Sequence, residues 1–240
     1  MKSRENIFKL SLIVICILFF QQSFAKENEH IKSLNANFKV DFFSIHTWRG
    51  SAVKSPCIEP SFEITKNNST TGIWAAQSLD GNYTELDLYF KYSLKDFSFT
   101  VYDYFCPPSY KNSGEIIDFD RKTTSHIIEI DFAFNGTPNF PISLMAATMV
   151  YGSDRDANNQ NMYSTYFEAG YSTSLYKNNV GIALGVSPFK SSYSKNFGFV
   201  NASLNVTRKV TIKKKEIPLY ASLVTNPYAK NIFFKVGFTL

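Results

Sequence analysis

The 240-residue chain is mildly basic and rich in aromatic side chains: 25 Lys and Arg against 20 Asp and Glu give a formal net charge of +5, and 16% of the residues are Phe, Tyr or Trp. The only basic run is the three lysines at 213–215, so the charge pattern argues against nucleic-acid binding. Beyond the first 25 residues no stretch approaches the ~20 apolar residues of a membrane-spanning helix, which excludes a helical membrane protein.

The N-terminal segment has the pattern of a secretory signal peptide. Basic residues come first, an apolar run occupies residues 10–20, and small side chains follow at Ser23 and Ala25. The two small residues stand where a signal peptidase requires them for cleavage after Ala25. We therefore predict a signal peptide at residues 1–25, a polar lead at 26–36 and an exported domain at 37–240.

The exported part consists of segments in which apolar and polar residues alternate. In residues 83–94, Leu86, Leu88 and Phe90 share one face, and Asp87 lies on the other. This alternation is typical of a β-strand with one apolar face. Similar segments, bounded by Gly, Pro, Asn, Asp or Lys, predict strands at 37–49, 57–66, 70–79, 83–94, 96–106, 125–135, 141–152, 162–176, 179–188, 197–212, 216–225 and 231–240.

The lengths of the links and of the strands favour a membrane barrel. Links after every second strand are short and lie on the side where the chain begins and ends, whereas the opposite links tend to be longer, as in outer-membrane barrels. The strands exceed the about 5–6 residues common in soluble sheets and suit a tilted membrane strand. We predict an all-β fold, a transmembrane antiparallel up-and-down β-barrel of about 12 strands. A secreted sandwich or lipocalin-like barrel is the alternative.

Short motifs in residues 46–107 carry a family resemblance. They are Trp48-Arg49-Gly50, Pro60-Ser61-Phe62-Glu63-Ile64, Gly72-Ile73-Trp74-Ala75-Ala76, Glu85-Leu86-Asp87-Leu88-Tyr89 and Tyr102-Asp103-Tyr104-Phe105-Cys106-Pro107. Together they resemble the TorF-type porin family. The resemblance implies an outer-membrane β-barrel that acts as a diffusion channel.

In such a barrel the polar face of each strand points into the lumen. There the charges either select the solutes that pass or form ion pairs and hydrogen bonds that fill the barrel. The candidate lumen-lining residues are Arg49, Glu85, Asp87, Tyr89, Lys91, Glu129, Asp131, Glu168 and Lys235. Aromatic residues near strand ends predict belts at the membrane interface: Trp48, Trp74, Tyr83, Tyr102, Tyr104, Tyr151, Tyr163, Tyr176 and Tyr228. A sugar-binding aromatic track is the alternative.

The sequence offers little support for catalysis or metal binding. The chain has three histidines, His30, His46 and His126, and no residue pattern marks a catalytic group, a cofactor or a metal site. Cys57 and Cys106 remain after cleavage of the signal peptide, and an exported pair could form a disulfide or stay reduced.

These features predict a bacterial outer-membrane protein that lets small hydrophilic solutes diffuse through passively. Its partners would be outer-membrane lipid, lipopolysaccharide, the outer-membrane assembly machinery and the solutes themselves, with no role for nucleic acid. A non-conducting barrel with a structural or surface-interaction role, using the 107–124 loop, is the main alternative. An outer-membrane enzyme is the more distant one.

Overall fold

A computed structural model describes residues 34–107 and 115–240. The predicted signal peptide, and the predicted polar lead up to residue 33, lie outside the described residues. The barrel begins at Asn35, two residues before the predicted start. Within the described ranges, no helix is long and apolar enough to cross a membrane.

Twelve antiparallel strands form a closed up-and-down barrel, which confirms the predicted fold class. The wall consists of β1 and β4–β14, and β1 closes it against β14, where Asp41 faces Thr239 and Phe43 faces Gly237. The strands are β1 (Asn35–Phe43), β2 (His46–Trp48), β3 (Ser51–Val53), β4 (Cys57–Lys66), β5 (Ser69–Ser78), β6 (Thr84–Leu94), β7 (Phe97–Phe105), β8 (His126–Phe134), β9 (Ile142–Gly152), β10 (Thr165–Leu175), β11 (Asn178–Ser187), β12 (Gly198–Ile212), β13 (Lys215–Asn226) and β14 (Asn231–Thr239).

The main departure from the predicted strands is a small hairpin after β1. The sequence predicted one strand over residues 37–49, but β1 ends at Phe43, and β2 then pairs with β3 as a separate two-stranded sheet. Arg49 and Gly50 form its turn with φ values of 46° and 79°. Two successive residues of positive φ are what a tight two-residue hairpin turn needs, so the chain reverses here.

The two ends of the barrel differ in their connections. The end that carries Asn35 and Thr239, here called the terminal end, also carries the short turns that follow β4, β6, β10 and β12, and the somewhat longer link at residues 135–141. The opposite end, here called the loop end, carries the β2–β3 hairpin and the links at 79–83, 106–125, 153–164, 188–197 and 227–230. The predicted sorting of short and long links therefore holds for most links, and the exceptions are the short loop-end links at 79–83 and 227–230 and the longer terminal-end link at 135–141.

Large apolar side chains lie exposed on one face of every wall strand. On β6, Leu88, Phe90 and Leu94 are 52%, 42% and 57% exposed, while Asp87 on the opposite face is 7% exposed. The same arrangement recurs at Phe132 on β8 and at Phe234 on β14. A soluble sheet would bury this face, so the outside of the barrel has the polarity of a surface made for an apolar environment.

Candidate functional site

The β2–β3 hairpin lies inside the barrel, against strands far from its own position in the wall. It follows β1 and precedes β4, yet its turn contacts β12: a Cβ added to Gly50 would lie 1.9 Å from the carbonyl oxygen of Val200. The same turn places Arg49 against Glu129 on β8. In the closed wall, β8 and β12 are several strands away from β1 and β4 on either side, so these contacts cross the interior. They identify the Glu129 face of the strands as the inside.

Arg49 at the hairpin turn forms a buried ion pair with Glu129. Its Nη1 donates to Glu129 Oε2 at 2.6 Å, and Nη2 donates to Oε1 at 2.8 Å. The side chains of Arg49 and Glu129 are 7% and 0% exposed. Asp131 Oδ2 lies 3.8 Å from Nη2, and Tyr104 donates to Glu129 Oε1 at 2.8 Å. The two parallel hydrogen bonds give this pair a fixed orientation as well as charge neutrality.

Aromatic rings enclose the same guanidinium group. Arg49 Cζ lies 4.7 Å from the ring centres of Trp48 and of Tyr166, and 5.8 Å from that of Tyr193. Nη1 also donates to the Tyr193 hydroxyl at 2.5 Å. Cations are attracted to aromatic faces at such distances, most strongly where water is excluded. The rings and carboxylates therefore act together to hold the hairpin in place.

The environment keeps Arg49 charged. Burial alone would lower the pKa of the guanidinium group, but Tyr193 and the Glu129 carboxylate outweigh burial and raise that pKa above its ordinary value. Burial raises the pKa of Tyr193, so near neutral pH its hydroxyl is protonated and accepts a hydrogen bond from Arg49, while the Glu129 carboxylate supplies the negative charge. The ion pair is consequently present at every pH at which Glu129 is ionised.

A second acidic group lies on β6, at Glu85 and Asp87. The Tyr83 hydroxyl donates to Glu85 Oε2, and the Cys106 thiol donates to Glu85 Oε1 at 3.0 Å. Asp87 is 7% exposed, and its Oδ1 has no hydrogen-bond partner. Asp131 on β8 likewise has an unpartnered, buried Oδ1. A buried carboxylate oxygen without a donor is costly, so both positions would be stabilised by a further hydrogen-bond donor.

The other predicted lumen residues lie on the same interior face but in separate places. Tyr89 crosses over Gly72, where a Cβ would lie 2.2 Å from its ring, and donates to Glu63 Oε2 at 2.9 Å. Glu168 accepts from Asn201 Nδ2 at 3.1 Å and from the Tyr166 hydroxyl. Lys235 Nζ lies 3.6 Å from the ring centre of Phe43. Lys91 is half-buried between Thr70 and Thr100, its neighbours in register.

Five of the residues predicted for a membrane-interface belt instead contribute to the interior. Trp48, Trp74, Tyr83, Tyr102 and Tyr104 pack with the hairpin or with the acidic residues. The signal that could have shown this is the parity of each strand. On β7, for example, Tyr102 and Tyr104 alternate with Phe97, Phe99 and Val101, so they cannot share the outer face with them.

The two described histidines have structural partners. His46 Nδ1 lies 3.0 Å from Glu59 Oε1, and its ring packs between those of Trp74 and Tyr83. At the loop end, His126 Nδ1 lies 2.7 Å from Asp103 Oδ1, and Nε2 lies 2.9 Å from the carbonyl oxygen of Ile116. The latter contact attaches the segment after residue 114 to the barrel wall. His30 lies outside the described residues.

The disulfide that the sequence allowed between Cys57 and Cys106 is not formed in this structure. Both residues are free thiols. Cys57 donates to the carbonyl oxygen of Ser55 at 3.4 Å, and Cys106 donates to Glu85 at 3.0 Å, so each sulfur has its own acceptor. The two residues lie on β4 and just after β7, separated in the wall by β5 and β6.

We therefore expect both cysteines to titrate as free thiols in the unfolded, unreduced protein, which a chromogenic thiol assay measures. In the folded barrel Cys106 should react more slowly than free cysteine at pH 8. Burial and the neighbouring Glu85 raise the pKa of its thiol, which leaves little of the reactive thiolate at that pH. Recovery of thiols only after reduction would show instead that the two residues are disulfide-bonded.

Comparison with known proteins does not add a relative. No model of a protein family matches the chain, and no curated protein is significantly similar to it. Among residues 34–107 and 115–240, no group of three or more His, Cys, Asp or Glu could hold a metal ion.

Proposed function

We propose that this protein is an outer-membrane β-barrel channel through which small hydrophilic solutes diffuse passively. The observation that carries the proposal is the reversed polarity of the closed barrel: large apolar side chains are exposed outside, while Glu129, Asp87 and Asp131 are buried inside. This polarity, the sorted links and the resemblance of residues 46–107 to TorF-type porins all point to the outer membrane. Lipid, lipopolysaccharide and the assembly machinery would then be its partners.

The terminal-end half of the interior supports a water-filled passage. On β9, β10 and β11 short polar side chains line it, and Ser143, Ser172 and Ser174 are exposed. Gly170 and Gly181 lie between them on the same face and add no bulk. A barrel of twelve strands is wider than the eight-stranded barrels that side chains fill completely, which leaves room for solvent here.

The docked hairpin narrows the other half. It brings Trp48 and Arg49 into the interior at the level of Glu129 and Tyr166, both of which are 0% exposed. We propose that this hairpin sets the size limit of the channel. Solutes would pass beside the hairpin. The carboxylates of β8 and β6 would make this narrow part of the channel acidic.

Two measurements test the proposal. Heat-modifiable gel migration and outer-membrane fractionation are expected to place the protein among outer-membrane barrels, and a soluble periplasmic product would contradict the barrel's membrane role. Purified protein is expected to give steps of conductance in planar bilayers. A variant in which residues 46–53 are replaced by a short Gly-Ser link should give larger steps, because the narrow part is widened.

A non-conducting barrel is the second candidate, and one observation favours it: Glu129, Tyr166 and Val200 around the hairpin are all completely buried. Such packing would be expected of a plug. The same bilayer experiment separates the two functions. If the complete protein is silent at high protein load while the hairpin-deleted variant conducts, the hairpin closes the barrel, and a structural role replaces the channel.

A further inference from the structure

The acidic pair on β6 differs from Glu129 and Asp131 on β8, which face Arg49, in having no positive partner among the described residues. Glu85 accepts from the Tyr83 hydroxyl and from the Cys106 thiol, neither of which carries a positive charge. Among the described residues, no Lys, Arg or His side chain lies within ion-pair distance of Glu85 or Asp87. Two neighbouring carboxylates, of which Glu85 is half-buried and Asp87 is buried, repel each other and are poorly solvated, so this position is suited to a further positive group.

Asp87 is the residue that points to a ligand. It is more than nine-tenths buried, and its Oδ1 accepts no hydrogen bond. In register, Trp74 on β5 and Tyr104 on β7 stand on either side of it, both on the interior face. The register therefore places Asp87 between two aromatic residues of the neighbouring strands, with Glu85 two positions before it on the same strand.

The same interior shows how such surroundings accommodate a cation. At the hairpin turn, carboxylates of β8 and the rings of Trp48, Tyr166 and Tyr193 enclose the guanidinium group of Arg49. Carboxylate and aromatic faces attract organic cations, which shed their weakly held water more easily than small metal ions do. Arg49 is the cation beside Glu129, whereas no cation from the described part of the chain lies beside Glu85 and Asp87.

We propose that Glu85 and Asp87, flanked by Trp74 and Tyr104, form a binding site for the ammonium, guanidinium or pyridinium-type head of a small organic cation. The inference rests on the proposed function, since the lumen is the route by which such a solute reaches the site, and it narrows the class of solutes to cationic ones. Two carboxylates without a third ligand suit a single positive charge rather than a metal ion.

The test uses the fact that the chain has only two tryptophans. Trp48→Phe leaves Trp74, beside Asp87, as the sole tryptophan. N-methylpyridinium chloride, an organic cation that quenches tryptophan fluorescence, is titrated into this protein in zwitterionic detergent. We expect saturable quenching of Trp74. Adding Asp87→Asn or Glu85→Gln should weaken the binding roughly tenfold, because a charged partner is lost.

Matched controls separate a site from general attraction. Glu216→Gln removes an exposed carboxylate that pairs with Lys209 on the terminal-end hairpin, and it should leave the titration unchanged. Acrylamide, a neutral quencher, should quench Trp74 equally in all variants. Heat-modifiable migration verifies that each variant is folded. Linear quenching, or equal titrations with and without Asp87 and Glu85, would overturn the proposal.

The outcome for the site is distinguishable from the outcome for the channel. Saturable binding by a protein that never conducts would keep the cation site and remove the channel. Conductance without saturable binding, and with equal permeability to potassium and chloride, would keep the channel and remove the cation site. With both present, the reversal potential in a potassium chloride gradient should indicate cation preference, and Asp87→Asn should reduce it.

Discussion

Replacing Glu129 by Ala is expected to destabilise the barrel by roughly 3–5 kcal/mol, because removing one member of a buried ion pair leaves the other charge without a partner. Arg49 cannot lose its proton to relieve this, and its side chain is only 7% exposed while the hairpin stays docked. The remaining carboxylate, Asp131, is 3.8 Å away and cannot replace two hydrogen bonds to Glu129. The measurement is the free energy of unfolding in urea, with the protein folded into phosphocholine vesicles.

A double-mutant cycle shows whether the loss comes from the pair itself. Arg49→Met should also destabilise, since it leaves Glu129 buried and charged, but Arg49→Met with Glu129→Leu should be closer to wild type than either single variant. Lys209→Ala is the control, because its ion pair with Glu216 is 67% and 62% exposed and should contribute at most about 1 kcal/mol. If Glu129→Ala unfolds like Lys209→Ala, the hairpin is not held by this ion pair.

Much of the barrel wall could be predicted because the sequence of each strand shows which of its two faces is apolar. On β6, Leu86, Leu88 and Phe90 alternate with Asp87 over the whole strand, so two-residue periodicity alone assigns the faces. Which of the two faces points into the barrel could be predicted only with a second signal, the sorting of short and long links between the two ends. Both are local properties, which a sequence displays directly.

The hairpin escaped prediction because its signal is local but ambiguous. Residues 46–48 continue the alternation of β1 in character, and Arg49 before Gly50 does not belong to the Asn-Gly or Asp-Gly pairs that usually mark a tight turn. What stabilises the turn is tertiary: Arg49 adopts a positive φ and binds Glu129, 80 residues away. The alternation of apolar and polar residues within a strand cannot indicate a contact between residues so far apart in the sequence.

Asp103 illustrates the same limit. It interrupts the apolar outer face of β7, which a bulge or a local polar network could equally explain from sequence. The structure shows the network, since Asp103 Oδ1 lies 2.7 Å from His126 Nδ1 on the neighbouring strand. The candidate site was affected likewise: Glu85, Asp87, Glu129 and Arg49 were recognised as polar, but the neighbours of each could not be assigned.

Replacing Gly50 by Ala is expected to release the hairpin from the wall. Gly50 has a φ of 79°, which an L-residue adopts only at a cost of roughly 1–2 kcal/mol. In addition, a Cβ would lie 1.9 Å from the carbonyl oxygen of Val200, so the turn would have to move away from β12. That movement withdraws Arg49 from Glu129. Beyond the backbone strain, the free energy of unfolding should therefore fall further, by about as much as in Glu129→Ala.

Gly81→Ala is the matched control for this prediction. Gly81 has a similar φ of 74°, but nothing lies within 4 Å of the position that its Cβ would occupy. Both variants therefore bear the backbone strain, and only Gly50→Ala also disrupts a contact across the interior. In planar bilayers Gly50→Ala should give larger conductance steps than wild type, while Gly81→Ala should match wild type. Equal stability and conductance of the two variants would mean that the hairpin tolerates displacement from β12, and that it neither narrows the lumen nor depends on this contact.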